Sequence, residues 1–325
     1  ISINERREIV YRSQRLMKNK LKIAVRFIVG IQLFLFISCS QPSSQIESLS
    51  IQDQKIAFGK ELFFDKQLSI NGTISCGSCH LPEKYFCDNE TKGRGIHGRS
   101  TNRNVPSLLN IKEHPYFMYD GGVITLEMQL LVPIQDTNEM GEQMGSVLKK
   151  LRKNKSYVAK AKSLYHRDLD AFVVSRALAE YERSIVASKS KYELYKANKV
   201  QLSFDEKNGE KLFIELRCDR CHSGNKFTNF SFQDNGLAVK SDSDFGRYRI
   251  TGKSEDKWKF KVPTLKNCAK TAPYLHDGSL KSLVEVIHAY ENTFNQQTRI
   301  KKLSEKELKS LIIFLNTLTE KIENQ

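Results

Sequence analysis

Two short segments carry the residues best suited to chemistry. Cys76-Gly77-Ser78-Cys79-His80 and Cys218-Asp219-Arg220-Cys221-His222 each place two thiols with two residues between them and follow them at once with an imidazole. That order is the attachment signature of c-type haem: the thiols add to the two vinyl groups and the histidine becomes an axial iron ligand. The spacing works because one turn of backbone carries both sulfurs to one porphyrin edge while the next residue turns inward to the metal. A Cys-x-x-Cys pair can also be a thioredoxin-like redox site or half of a zinc site, but each leaves the trailing histidine incidental. The separation of the two pairs is also far longer than the roughly 15 to 20 residues of the common zinc pattern. Two covalently bound c-type haems are therefore the expected cofactors.

Composition sets the frame around these segments. The 325 residues are enough for two domains, and 39% hydrophobic with 27% charged residues fits a globular protein. The formal charge is +15, of which residues 1–38 supply +6 and the remainder +9. A moderately basic surface suits an acidic redox partner or an anionic membrane. No basic helix is interleaved with base-stacking aromatics, so a nucleic-acid partner is not expected.

The amino end reads as an export signal. Met17-Lys18-Asn19-Lys20-Leu21-Lys22 is a positive region, and Phe27 to Ile37 is an apolar run shorter than a membrane-spanning helix requires. Residues 1–16 are read as preceding the start. Phe36-Ile37-Ser38-Cys39-Ser40 resembles a bacterial lipobox with phenylalanine where leucine is usual, which would leave a lipid on Cys39. Plain secretion is the alternative. The expected location is periplasmic with a lipid anchor in the membrane. Residues 39–48 read as a tether.

From Leu49 onward the pattern is helical. Ile56, Phe58, Leu62 and Phe63 fall on one face ahead of the first motif, with Gly59 allowing close approach. Gly59-Lys60-Glu61-Leu62-Phe63 is echoed by Gly209-Glu210-Lys211-Leu212-Phe213 ahead of the second, which marks an internal duplication of a haem-binding unit. Ser304 with Glu307 forms a capping box that opens a closing amphipathic helix. The expected fold is all-α: two cytochrome c-like domains, residues 49–200 and 201–325, each with a covalently bound c-type haem.

In order and spacing the chain from Leu49 to Leu318 resembles the bacterial di-haem cytochrome c peroxidases and their MauG-like relatives. The matching blocks run from Gly59 to His80, Gly95 to Arg99 with Arg103 to Ser107, Gln129 to Glu139, Arg176 to Val186, the second haem motif, and Lys261 to Leu265 through Tyr274 to Gly278. The resemblance implies reduction of hydrogen peroxide to water at the His80 haem, with electrons entering through the His222 haem from a small cytochrome c or a cupredoxin. A homodimer is one arrangement open to it.

The family's distal pocket pairs a glutamine with a glutamate ten residues later, and Gln129 and Glu139 stand in that relation. Glu139 would move a proton between the peroxide oxygens and Gln129 would orient the peroxide. Read without the resemblance, Glu139 is a solvated loop acid. His97 corresponds to a histidine that caps the first iron in reductively activated members, against a plain loop histidine. The second haem's sixth ligand is usually methionine, but Tyr290 falls there, as in the MauG-like branch, with His288 in reserve. A phenolate favours ferric iron and lowers the potential. Tyr119 takes the place of an inter-haem tryptophan relay. The sole tryptophan, Trp258, lies elsewhere. Asn104, Thr271 and Pro273 match a calcium site made of an amide oxygen and two carbonyls. His276 is expected near a haem propionate, and His114 and His166 at the surface. Cys87 and Cys268 are left over, free or paired with each other. Two other readings stand beside the peroxidase: a MauG-like oxidase that modifies a partner protein, and a di-haem electron carrier without turnover.

Overall fold

The computed structural model describes residues 49–237 and 243–322. The export signal, Cys39 and most of the tether lie outside the described residues. The order is α1 (Ile51–Phe63), α2 (Leu126–Gln129), α3 (Leu131–Gln135), α4 (Met144–Leu151), α5 (Lys155–Tyr165), α6 (Ala171–Ser184), α7 (Lys191–Lys196), α8 (Phe204–Glu215), α9 (Tyr248–Thr251), α10 (Leu283–Asn292) and α11 (Glu305–Asn316). Two-residue strands β1 (Phe232–Gln233) and β2 (Phe260–Lys261) pair antiparallel, Phe232 opposite Lys261. The protein is mostly helical, and no helix among the described residues is long and apolar enough to cross a membrane.

Two helix pairs organise the chain, and the duplicated Gly-x-x-Leu-Phe segment lies in one helix of each. Helix α1 packs on α6, and a Cβ on Gly59 would overlap the Ala177 carbonyl oxygen. Helix α8 packs on α11, where a Cβ on Gly209 would overlap the Ser310 carbonyl oxygen. In both places backbone meets backbone, so glycine is required by distance rather than by dihedral angle. Gly59→Ala should therefore lower stability by about 1–3 kcal/mol, the usual cost of overpacking, read as a lower denaturant midpoint at unchanged slope.

Each pair seeds an apolar cluster. Phe58, Leu62, Phe63, Val174, Ala177 and Leu178 are fully buried in the first. Phe213, Phe227, Phe314 and Leu315 anchor the second. The clusters are not cut cleanly at residue 200: Tyr192 on α7 packs edge-on against Phe227 and Phe314, and Ile322 returns to the first cluster. The helix starts are capped as the sequence indicates. Ser304 and Glu307 form the reciprocal box on α11, and Ser203 with Glu206 repeats it on α8.

Candidate functional site

Each Cys-x-x-Cys-His segment follows its glycine helix and winds into a single tight turn, Cys76–Ser78 and Cys218–Arg220. The turns are alike: His80 N donates to Cys76 O at 3.0 Å, and His222 N to Cys218 O at 2.9 Å. The imidazoles are held alike as well. His80 Nδ1 lies 2.9 Å from Phe86 O, and His222 Nδ1 lies 3.2 Å from Phe227 O and 3.1 Å from Pro263 O. A ring nitrogen facing a carbonyl carries the proton, which leaves Nε2 as the basic atom. Burial lowers the pKa of both histidines, so both rings stay neutral and able to ligate.

The thiols are equally informative. Burial pushes Cys79 up to about 11 and Cys218 up to about 12, and raises Cys76 further. Thiols so disfavoured as thiolates make poor redox nucleophiles or zinc ligands. Among the described residues no three His, Cys, Asp or Glu side chains gather into a metal-holding cluster, so the two pairs do not form a zinc ribbon. All four cysteines and both histidines line one cavity of about 1630 Å³, well beyond the roughly 300–1,000 Å³ of an ordinary small-molecule site. The sulfur pairs, the pre-set Nε2 atoms and this space fit two haems.

Gln129 and Glu139 line the same cavity, with Pro133 between them. Glu139 sits in the turn after α3, where its amide donates to Asp136 O at 3.0 Å and its carbonyl accepts from Ile96 N at 2.8 Å. The Gly95–Arg99 turn grips that segment. A Cβ on Gly95 would overlap Asn138 O, and Arg99 Nη1 donates to Thr137 O at 3.0 Å. Burial, reinforced by the like charge of Asp136, pushes Glu139 up to about 7. A fully solvated loop acid would not be raised by burial in this way.

Tyr290 on α10 lines the cavity, and burial pushes it up to about 12. Asn235 Nδ2 donates to its oxygen at 3.4 Å. His288 points elsewhere: it is half exposed, bonded to Glu291 at 2.8 Å, and absent from the cavity wall. Tyr119 Oη donates to Asn104 Oδ1 at 3.2 Å, and burial raises its pKa. Asn104, Thr271 and Pro273 share the cavity wall, and Asn104 Nδ2 donates to Glu90 O at 2.8 Å. An amide oxygen has two lone pairs, so Asn104 can serve a cation as well as Tyr119. His276 is buried in the wall, stacked on Phe260 at 3.9 Å between ring centroids.

Three expectations need correction or qualification. His97 is exposed at φ 55° and does not line the cavity, so this arrangement does not bring it to the first haem segment. His114 is not at the surface. It lines the cavity against Phe230, its Nδ1 has no partner, and burial with the charges of Lys261 and Lys226 lowers its pKa to about 3. Cys87 and Cys268 are both buried free thiols, and Cys87 Sγ donates to Lys84 O at 2.9 Å.

Glu182 escaped the sequence reading altogether. It stands in the cavity wall, 3% exposed, on the inward stripe of α6 that holds Val174 and Leu178. An acid at i+4 from Leu178 and i+8 from Val174, on one helical stripe, was the available signal.

The chain is similar to known proteins. A profile of the di-haem cytochrome c peroxidase family matches residues 53–201. The methylamine utilization protein MauG of Methylorubrum extorquens is 30% identical over 82% of this chain and 78% of its own length. A cytochrome c551 peroxidase of Nitrosomonas europaea is 29% identical over 87% of this chain and 85% of its own. A solved MauG-like protein associated with microbial copper homeostasis superposes with a TM-score of 0.76 at 29% identity, over 82% of this chain and 89% of that one. The chain belongs to the di-haem cytochrome c peroxidase family, which takes in both MauG and the peroxidases.

Proposed function

We propose that this protein is an exported di-haem enzyme that reduces hydrogen peroxide to water, using electrons from a small cytochrome c or cupredoxin. In this reading residues 49–200 and 201–325 form two cytochrome c-like domains. Cys76, Cys79 and His80 hold the peroxide-reducing haem, and Cys218, Cys221 and His222 hold the electron-entry haem. Bound at His80, the haem supplies an iron that takes up peroxide and hands it electrons.

The chain's own residues handle the protons. Gln129 orients peroxide with its amide, and Glu139 accepts a proton from one peroxide oxygen and returns it to the leaving oxygen. The observation that carries the reading is Glu139 in the wall beside the first haem segment, tuned to about 7 by burial and Asp136. An acid/base works best when its pKa lies near the working pH. Tyr119, in the wall of the same cavity, serves as the electron relay in this reading, and Asn104, Thr271 and Pro273 hold one calcium ion through oxygen atoms. Periplasmic location and a lipid on Cys39 complete the proposal.

A MauG-like oxidase acting on a partner protein is the second reading, and Tyr290 in the wall of the second site favours it. Electron paramagnetic resonance of the ferric, calcium-loaded protein with stopped-flow addition of peroxide tests both against a carrier. An open, high-spin iron that peroxide oxidises rapidly is expected. Two low-spin irons with no reaction even after half-reduction would leave only electron transfer. Turnover with reduced small cytochromes then separates peroxidase from oxidase.

A further inference from the structure

Glu182 is the buried acid that the proposed reaction does not use. One of its carboxylate oxygens is fully buried and meets no donor among the described residues. A buried carboxylate oxygen without a donor is costly, so its surroundings decide its charge. On its own helix, Arg183 turns away to Glu127 at 2.8 Å and Glu180 at 3.5 Å. From α2, Glu127 is already held by Arg183 and, at 3.8 Å, by Arg176. In the packed turn Ile111–Glu113, Glu113 faces Lys226 at 3.7 Å, and Lys112 is exposed. On α1, Glu61 pairs with Lys160, Lys55 lies over the Tyr165 ring, Asp53 binds its own cap and Lys60 is exposed. Arg183 remains the charge that lowers the pKa of Glu182, and beyond it lies the first haem segment. Glu182 is the strongest charge acting on the Cys76 thiol, and Glu139 acts on that thiol more weakly.

We propose that Glu182 is the proton partner of the first haem: when the centre held by Cys76, Cys79 and His80 gains one electron, Glu182 takes one proton from solvent. The electron comes from the donor redox protein, the proton forms an O–H bond on the carboxylate, and re-oxidation releases both. The net charge of the centre and its pocket wall together is thereby kept constant through the redox cycle. This rests on the reading of His80 as a haem ligand, but not on peroxide being the substrate. Burial, partly opposed by the charge of Arg183, pushes Glu182 up to about 8. A ferric centre's positive charge pulls it back down, and reduction removes that pull, so uptake is confined to pH values below about 8.

The test is a spectroelectrochemical titration of the full-length, haem-loaded chain against pH, with dithionite and mediators as the reductant. The potential of the first haem should fall as pH rises, by up to tenfold per pH unit, which is 59 mV for one electron, and flatten above about pH 8. Glu182→Gln should flatten that dependence while the second haem's potential stays put. Glu182→Asp should restore part of the slope. Glu139→Gln is measured in parallel. If it alone abolishes the slope, or if Glu182→Gln leaves the slope intact, the proposal is overturned. A wild-type first haem with no slope between about pH 6 and 8 overturns it without any variant. Failure to react with peroxide would sink the peroxidase reading and leave this titration standing.

Discussion

Replacing Glu139 with glutamine should lower peroxide turnover by about 100- to 10,000-fold, the range general acid/base groups contribute. Glutamine keeps the size and the polar contacts but cannot accept a proton, so both haems should still attach and the resting spectrum should stay unchanged. The pH profile of the wild type sharpens the expectation. As a base Glu139 must be ionised before it can take the peroxide proton, so the rate should rise with pH through about 7, where burial and Asp136 have set its pKa. The variant should lose this rise. Normal turnover in Glu139→Gln, measured at saturating donor, would remove the proposed proton path. Asp136→Asn offers an internal check: without the like charge the midpoint of the rise should move to lower pH.

The second large effect is expected at Tyr290. Its hydroxyl faces the second haem segment, and burial keeps it protonated until about 12. Serving as an iron ligand would require it to give up that proton, and the resulting phenolate would favour the ferric state. Tyr290→Met puts a thioether in its place, which favours the ferrous state, so the second haem's potential should rise by on the order of hundreds of mV within the roughly 0.8 V range that axial ligands span. Potentiometric titration checks this. An unchanged potential would mean that Tyr290 only packs, with Asn235 satisfying its oxygen.

The haem turns, the two glycine helices and the capping boxes were legible because each is encoded locally, by residues a few positions apart. Gly59 and Gly209 announced their partners through what they lack. Glu139 was legible only by likeness to a family, because its shift comes first from burial and then from Asp136, and the Gly95–Arg99 turn packed on its segment is more than thirty-five residues away in sequence. His114 misled for the same reason. A histidine before a proline reads as a surface loop, but Phe230, Lys226 and Lys261 come from the other half of the chain to enclose it. Glu182 went unnoticed because an acid in a strongly helical segment draws no attention until its neighbours are known to be apolar.

The buried thiols also dictate an order of events in biogenesis. Once α1 has closed on α6 and α8 on α11, the sulfurs of Cys76, Cys79 and Cys218 are held as thiols that scarcely ionise, and thioether formation from them would be slow. Porphyrin must therefore be joined to a chain still open at both turns. The second turn waits longest for closure, since α11 is the last helix of the described chain to emerge.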